Sequence, residues 1–217
     1  RRLSGASSKE PVPMNEIKEH WDQIHLTKGD EVSWYQPVFT QSMKMIRDCD
    51  LLPGATVLDV GSGASHLVDE LLAANYEPTL LDISDVALAR VKHHLGDRAW
   101  KVEFIRGDVK EVWLPPAAYD LWHDRAVFHF LTTAPEREAY VKALRRALKP
   151  GGFLVLAAFA LDGPETCSDL PVCRYDVNGF VTQLGPDFEP LQAEREIHHT
   201  PFGTTQPFQY ARFQYNP

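Results

Sequence analysis

The run Thr56-Val57-Leu58-Asp59-Val60-Gly61-Ser62-Gly63 decides the fold of this chain. Its first five residues are mostly aliphatic or β-branched, and they predict a short buried strand. Its last three predict a tight loop, because glycine tolerates a positive φ and lets another group approach the backbone closely. Leucines then recur at helical spacing over 66–74, and the apolar run 78–82 ends in an acid, Asp82. The order is therefore strand, glycine loop, helix, strand.

The same alternation extends through most of the chain. Two amphipathic helices are predicted before the first strand, one from Asn15 and one after Pro37. Later helices are predicted over 85–95, 135–148 and 176–184, and later strands over 101–106, 119–124 and 153–159, the last of them after the turn Lys149-Pro150-Gly151-Gly152. The runs 188–198 and 208–215, separated by Pro201-Phe202-Gly203, predict a closing hairpin.

Strands that alternate with helices are typical of a parallel sheet covered on both faces. We therefore predict an α/β fold with a Rossmann-like, seven-stranded, mostly parallel sheet, helices on both faces and an antiparallel C-terminal hairpin. A length of 217 residues fits one domain. We assign it to 15–217 and expect 1–14, rich in Arg, Ser, Gly and Pro, to be a flexible tail.

The composition excludes several classes of partner. The chain has 22 basic and 30 acidic residues, a net charge of -8, and no Lys/Arg-rich run, which argues against nucleic acid as a partner. No apolar run approaches the roughly 20 residues that span a bilayer, so no membrane partner is expected. Cys49, Cys167 and Cys173 form no Cys-x-x-Cys pair, and no cluster has metal-ligand spacing. We expect a cytoplasmic protein, or a mitochondrial one if the Arg-containing start is a transit-peptide remnant.

The glycine loop and the acid that follows it predict a nucleoside site. Ligands of open α/β sheets bind beyond the carboxyl ends of the strands, where Gly61, Gly63 and Asp82 are expected. Asp82 lies about 20 residues after the loop, the spacing at which a carboxylate binds ribose hydroxyls. The dinucleotide fingerprint requires Gly or Ala at the third loop position, which is His66 here, so we disfavour NAD. Asp59 could instead hold an ammonium, as a methionine-bearing cofactor would require.

Four motifs together resemble class I S-adenosylmethionine-dependent methyltransferases. They are Val57-Leu58-Asp59-Val60-Gly61-Ser62-Gly63, Leu81-Asp82-Ile83-Ser84, Gly107-Asp108-Val109 and Leu148-Lys149-Pro150-Gly151-Gly152. The resemblance implies S-adenosylmethionine as the cofactor. It also implies that Asp108 accepts from the adenine amino group and that the Val109 N–H donates to the ring. The implied cofactor-binding residues are Trp34, Asp59, Gly61, Ser62, Gly63, Asp82, Ile83, Asp108 and Val109.

The segment after the fourth predicted strand is the candidate acceptor site. It contains Trp122-His123-Asp124-Arg125, a Trp-x-Asp-Arg pattern similar to thiopurine S-methyltransferase-like enzymes. That resemblance implies that Arg125 faces the acceptor, that Asp124 lies near the methionine end and that Trp34 belongs to an aromatic lid. His123 and His129 are candidate bases or substrate contacts, and both could equally be hydrogen-bonded histidines at a helix start. Arg125 could instead pair with a carboxylate to fix the loop.

Three functions remain open at this point. The first is a methyltransferase that acts on a small molecule with a soft, thiol-like acceptor atom. The second is a protein lysine methyltransferase, because some of these carry Asp followed by Lys or Arg at the same position and the acidic charge would suit a basic target. The third is a non-catalytic module that binds the cofactor or a partner. The methyl acceptor, whether small molecule or protein side chain, is therefore the partner to identify.

Overall fold

A seven-stranded sheet forms the centre of the computed structural model, which describes residues 14–28, 31–33, 35–36 and 38–217. Its strands follow the order β3-β2-β1-β4-β5-β9-β8. The strands are β1 Thr56–Val60, β2 Glu77–Asp82, β3 Glu103–Arg106, β4 Tyr119–Arg125, β5 Leu148–Phe159, β8 Phe188–His199 and β9 Thr205–Tyr215. The five strands β1 to β5 pair in parallel, whereas β9 pairs antiparallel with both β5 and β8. The predicted fold class is confirmed.

Helices cover both faces of the sheet because alternate residues of each strand point to opposite sides. The helices are α1 Met14–Thr27, α2 Thr40–Arg47, α3 Leu67–Ala73, α4 Asp85–Leu95, α5 Ala134–Ala147 and α6 Val177–Leu184. On β5, Leu154 and Leu156 share a core cluster with Tyr140 of α5, whereas Val155 shares another with Met43 of α2. The sheet is therefore buried on both sides and holds its strand ends rigidly.

Local sequence explains where two of these helices begin. The Ser84 hydroxyl accepts from the Ala87 N–H at 3.1 Å at the start of α4. Thr133 and Glu136 form a reciprocal capping box at the start of α5, which also has a proline in its first turn. Both caps lie directly after a strand or its loop, so they fix the positions of the residues at the carboxyl edge of the sheet.

Two features of the fold differ from the sequence prediction. A second sheet of two short strands, β6 Thr166–Cys167 and β7 Leu170–Pro171, lies in a segment for which no structure was predicted. The predicted turn at Lys149-Pro150-Gly151-Gly152 is part of β5, because Leu148 already pairs with Tyr119 and the register then shifts. Gly151 absorbs this irregularity with a φ of 80°.

None of the helices within the described residues combines the length and the apolarity that a membrane crossing requires. The tail was predicted over 1–14. Its residues 1–13 and the predicted lid residue Trp34 lie outside the described residues, whereas Met14 begins α1.

Candidate cofactor and acceptor site

Two adjoining cavities lie at the carboxyl ends of β1, β2 and β4. The larger has a volume of about 320 Å³ and the smaller about 80 Å³. Both are lined by His25 of α1, by Gly61 and Gly63, and by Arg125. The strand order reverses between β1 and β4, so the cavities lie where open α/β sheets bind their ligands.

The glycine loop after β1 forms the floor where the two cavities meet. Gly61 and Gly63 have φ values of 63° and 56°, a region that disfavours side chains. A Cβ at Gly61 would overlap the Cγ2 methyl of Val127, so the loop and the segment after β4 can approach this closely only with glycine there. The Ser62 hydroxyl is buried without a hydrogen-bond partner in the protein and lines the smaller cavity. A buried hydroxyl in this state fits a polar ligand.

Asp82 presents a carboxylate to the larger cavity. One of its oxygens accepts from the Gly63 N–H at 2.7 Å and the other from the Ser84 N–H at 2.8 Å. Each carboxylate oxygen has two lone pairs, so one on each oxygen is left for the two hydroxyls of a ribose. Burial raises the pKa of Asp82 to about 6, against the two backbone donors, which lower it. The predicted ribose contact therefore has both the position and the acceptor capacity that it requires.

Asp108 and Val109 line the same cavity together with Ile83 and the backbone of Gly107. The Asp108 carboxylate accepts from the Lys110 N–H at 2.9 Å, and Lys110 Nζ lies 3.4 Å from its second oxygen. Lys110 Nζ also donates to Glu136 of the α5 capping box at 3.1 Å. No sequence pattern pointed to Lys110 and Glu136, because their pairing joins residues 26 positions apart. They hold the adenine-side segment against α5.

Cofactor binding should depend on pH through Asp82. The ionised carboxylate accepts both ribose hydroxyls, whereas the protonated one loses acceptor capacity. With a pKa of about 6, only about a tenth of Asp82 is ionised at pH 5. We therefore expect S-adenosylhomocysteine to bind about tenfold more tightly at pH 7 than at pH 5, measured by calorimetry. The Asp82→Asn variant should bind weakly and with no such pH dependence; a variant with the wild-type pH profile would contradict the ribose assignment.

Asp59 and His123 form a buried pair at the smaller cavity. His123 Nδ1 donates to Asp59 Oδ1 at 2.7 Å, and His123 Nε2 lies 2.9 Å from the hydroxyl of Ser42 on α2. Both residues line the smaller cavity and are nearly fully buried. Because both ring nitrogens of His123 are engaged, the histidine orients Asp59 instead of offering a free base. Asp59 keeps its second oxygen for a cationic group such as the ammonium that the sequence assigned to it.

Asp124 anchors the segment after β4 from below. Its carboxylate accepts from the Val127 N–H at 2.8 Å, from the Phe128 N–H at 3.1 Å and from the Tyr140 hydroxyl at 2.6 Å. Tyr140 in turn accepts from Trp122 Nε1 at 2.8 Å. Asp124 is fully buried, and it is not among the described residues that line either cavity. The structure therefore gives Asp124 a positioning role, not the direct site contact that was predicted.

Arg125 lies where the two cavities meet and is held by the C-terminal hairpin. Its Nε donates to the Tyr210 hydroxyl at 2.9 Å, and its guanidinium lies 4.4 Å from the ring centroid of Phe208 and 3.9 Å from Glu196. The alternative from the sequence was that Arg125 pairs with a carboxylate that fixes the loop. Glu196 is a carboxylate near enough to do so in part. The side chain nonetheless lines both cavities, so its charge acts on whatever binds there.

His129 is placed differently from its prediction. Its ring is fully buried between the rings of Phe130 and Phe159, at centroid distances of 4.5 and 4.8 Å. Burial and the charge of Arg125 lower the pKa of His129 to about 3. His129 is not among the described residues lining the cavities, so the proposed role as a base or substrate contact receives no support from its position.

Apolar side chains form the outer wall of the larger cavity. α1 contributes Ile17 and Trp21, the segment after β4 contributes Phe130, and the small second sheet contributes Cys167 and Leu170. Trp21 packs edge-on against Phe130 with ring centroids 5.3 Å apart. Trp21 lies on the amphipathic helix predicted from Asn15, and the face of α1 that carries Ile17 and Trp21 lines the larger cavity.

Comparisons with known proteins agree with this geometry. Residues 57–152 match the family described as Methyltransferase domain. The chain is similar to thiocyanate methyltransferase 1 of Arabidopsis thaliana, with 28% identity over 172 residues that span 77% of this chain and 73% of the relative. The chain contains a methyltransferase domain and is an S-adenosylmethionine-dependent enzyme. The enzyme's predicted family and cofactor are thereby confirmed.

Further similarities extend over less of the relative or show the fold alone. The ubiquinone/menaquinone biosynthesis C-methyltransferase UbiE of Coxiella burnetii is 28% identical over 157 residues, which span 70% of this enzyme and 59% of UbiE. The Burkholderia thailandensis 1,6-didemethyltoxoflavin-N1-methyltransferase, solved with 1,6-didemethyltoxoflavin and S-adenosylhomocysteine, superposes with a TM-score of 0.69 at 17% identity. The match covers 98% of this enzyme and 94% of that chain.

Each part of S-adenosylmethionine can be matched to residues that line the cavities. S-adenosylmethionine supplies a methyl group on a sulfonium centre, which is transferred by in-line displacement. Asp82 would hold the ribose, Ile83, Asp108 and Val109 the adenine, and Asp59 and Ser62 the methionine part. The enzyme's own contribution is to align these parts and exclude water. Arg125 lies where the two cavities meet.

Proposed function

We propose that this enzyme methylates a small molecule through a soft, anionic or readily ionised acceptor atom, such as a thiolate or a thiocyanate-like sulfur. The observation that carries the proposal is the position of Arg125. Its guanidinium lies at the junction of the two cavities, and the wall beyond it is apolar. A small anion is attracted to the positive charge of Arg125, and the anion loses its hydrating water when it binds against the apolar wall.

The distribution of charge within the cavities supports a small anionic acceptor. The carboxylates of the larger cavity, Asp82, Asp108 and Glu136, belong to the nucleoside side, where two of them bind backbone N–H groups and the third caps α5. Asp59 of the smaller cavity is paired with His123. Apart from these four acids, none of the described residues that line the two cavities is a carboxylate that could receive an ammonium.

The protein lysine alternative fits this arrangement less well. A lysine arrives as an ammonium, which Arg125 repels, and it must lose a proton before it can attack. The two histidines of the predicted acceptor segment are engaged or inaccessible: His123 is bonded through both ring nitrogens, and His129 is enclosed by aromatic rings. His25 lines both cavities, but burial lowers its pKa to about 4, which makes it a weak base. A soft thiol ionises readily and needs only desolvation and alignment, for which no base is necessary.

Turnover with a panel of acceptors tests the proposal. Purified enzyme with radiolabelled S-adenosylmethionine should methylate thiocyanate or small thiols, and it should not label histone-like or other lysine-rich peptides. Labelling restricted to protein bands of a cell lysate would favour the lysine alternative. Cofactor binding without transfer to any acceptor would favour the non-catalytic module.

Arg125→Gln should separate acceptor use from cofactor binding. We expect the KM for the acceptor to rise about tenfold or more, because one charge at a desolvated site contributes about 1.4 kcal/mol or more. The Kd for S-adenosylhomocysteine should change by less than about threefold. Arg195→Gln is the matched control, since Arg195 lies on β8 and pairs with Asp162 at the surface. An equal loss of both affinities would show that Arg125 only fixes the loop.

A further inference from the structure

We infer that His66, Asp69 and His94 form a binding site for one divalent transition-metal ion of the zinc type. The three side chains converge on the surface between α3 and α4, outside both cavities. Their potential ligand atoms all lie within 4.8 Å of one another. His66 Nδ1 is 3.6 Å from Asp69 Oδ2, and His94 Nε2 is 2.7 Å from the same oxygen.

These distances suit a shared ion. Zinc binds imidazole nitrogen and carboxylate oxygen at about 2.0 to 2.2 Å, so a tetrahedral site separates its ligand atoms by roughly 3.3 Å. The two distances to Asp69 Oδ2 lie on either side of that value. The rings of His66 and His94 meet at 68° with centroids 4.1 Å apart, which already brings both nitrogens to one side of Asp69. Small side-chain rotations would complete the site.

The backbone under the three residues is fixed by packing. Val68 and Leu95, which adjoin Asp69 and His94 in the sequence, are 1% and 3% exposed. Both belong to the apolar cluster that joins α3 and α4 over β2. Asp69 and His94 are therefore presented by two packed helices, and His66 is the N-cap residue directly before α3.

The ligand types select the class of ion. Two imidazoles and one carboxylate suit zinc, nickel, copper or cobalt, whereas magnesium and calcium prefer oxygen ligands alone. His66, Asp69 and His94 are 44%, 28% and 38% exposed, so water can fill the remaining coordination position. No metal cluster was expected from the sequence, because His94 lies 25 residues from Asp69 and only the fold brings the two together.

An ion pair with Arg98 is the competing explanation for why these side chains lie together, and a variant of Arg98 tests it. Its Nη1 donates to Asp69 Oδ1 at 2.8 Å, so the cluster is also held together by an ion pair. This contact uses the oxygen that does not face the histidines, and Oδ2 remains for the ion. The positive charge of Arg98 opposes metal binding. We therefore expect Arg98→Ala to bind the metal several-fold more tightly, while a merely structural cluster would be loosened.

The experiment titrates Zn²⁺ into the tag-free full chain by calorimetry, with thermal unfolding as a second measurement. We expect one ion per chain at this site. His94→Ala and His66→Ala should each weaken binding by at least about 100-fold, since even losing a partner of a metal ligand weakens affinity 10–100-fold. Zn²⁺ at 100 times its Kd should raise the wild-type Tm by roughly 5 to 10 °C and should leave that of His94→Ala nearly unchanged.

His93→Ala is the matched control, because His93 is an exposed neighbour on α4 that does not belong to the cluster. It should bind Zn²⁺ as the wild type does. The inference is overturned if the wild type takes up no ion, if His94→Ala binds as tightly as the wild type, or if His93→Ala loses as much. Equal or weaker binding by Arg98→Ala would also overturn it.

Discussion

Asp124→Ala is expected to lower the free energy of unfolding by about 3 to 5 kcal/mol. The substitution removes the acceptor of the Val127 and Phe128 N–H groups and of the Tyr140 hydroxyl, all of them around a fully buried position. A buried donor left without a partner costs about 1 to 3 kcal/mol. Chemical denaturation of the two proteins at pH 7 measures the difference.

An exposed carboxylate is the control for this loss. Asp162→Ala also removes an acidic residue that holds an arginine, but its side chain is 62% exposed. An exposed ion pair of this kind contributes little to stability, because water screens the two charges. If the Asp124→Ala loss were no larger than that of Asp162→Ala, the segment after β4 would not depend on the carboxylate for its position.

The pH dependence of the free energy of unfolding tests the role of Asp124 independently. Burial raises the pKa of Asp124 to about 6 in the folded chain, above its usual value of 3.8. The part of the stability that depends on the proton of Asp124 is therefore fully present below pH 3.8 and is lost as the pH rises through 6, whereas the hydrogen bonds that the carboxylate accepts remain at pH 7. At 1.36 kcal/mol per pKa unit, this loss is about 3 kcal/mol. The Asp124→Asn variant should lack it, and parallel curves for the two proteins would contradict the raised pKa.

The fold was predictable because its signals are local. β1 and the glycine loop follow from eight consecutive residues, and α5 follows from apolar periodicity between the capping residue Thr133 and the glycines after Leu148. β6 and β7 were missed because each has two residues, too few for any periodicity. Their pairing depends on the chain folding back on itself, which no local pattern encodes.

The site was predictable where the fold class itself brings the binding residues together. Gly61, Gly63 and Asp82 lie at strand ends whose meeting the fold class requires, and they line the cavity as expected. The partners of the acceptor segment could not be predicted in this way. Ser42 reaches His123 across 81 residues, and Tyr210 reaches Arg125 across 85. A sequence shows which residues can bond, but only the packed helices and hairpin show which of them meet.

Asp59 and Asp124, at the ends of β1 and β4, also differ in a way that only the fold shows. Asp59 and Asp124 look alike in the sequence, since each lies near the end of a buried strand. Asp59 faces the smaller cavity and holds His123, whereas Asp124 is turned into the core beneath Val127. Because Asp59 lies opposite His123 and Val60 lies opposite Asp124 in the pairing of β1 with β4, the two acids point to opposite faces of the sheet.

Gly61→Ala is expected to weaken cofactor binding about 100-fold and to destabilise the fold. The new methyl group would overlap Cγ2 of Val127, and the backbone φ of 63° is unfavourable for alanine by about 1 to 2 kcal/mol. Either the glycine loop or the segment after β4 must move, and a displacement of about 1 Å at a reacting site can lower function 100-fold. Calorimetry with S-adenosylhomocysteine and denaturant unfolding measure the two effects.

Two further variants separate the overlap from the backbone strain. Gly54 has a φ of 85° and no atom within 4 Å of an added Cβ, so Gly54→Ala should show the strain alone and leave cofactor affinity unchanged. In the double variant Gly61→Ala/Val127→Ala, the overlapping methyl is gone. Its affinity should return to within about tenfold of Val127→Ala, and the interaction between the two sites should be measurable as a double-mutant cycle. If the double variant bound as weakly as Gly61→Ala, the close approach of Val127 to the loop would not be what requires glycine at position 61.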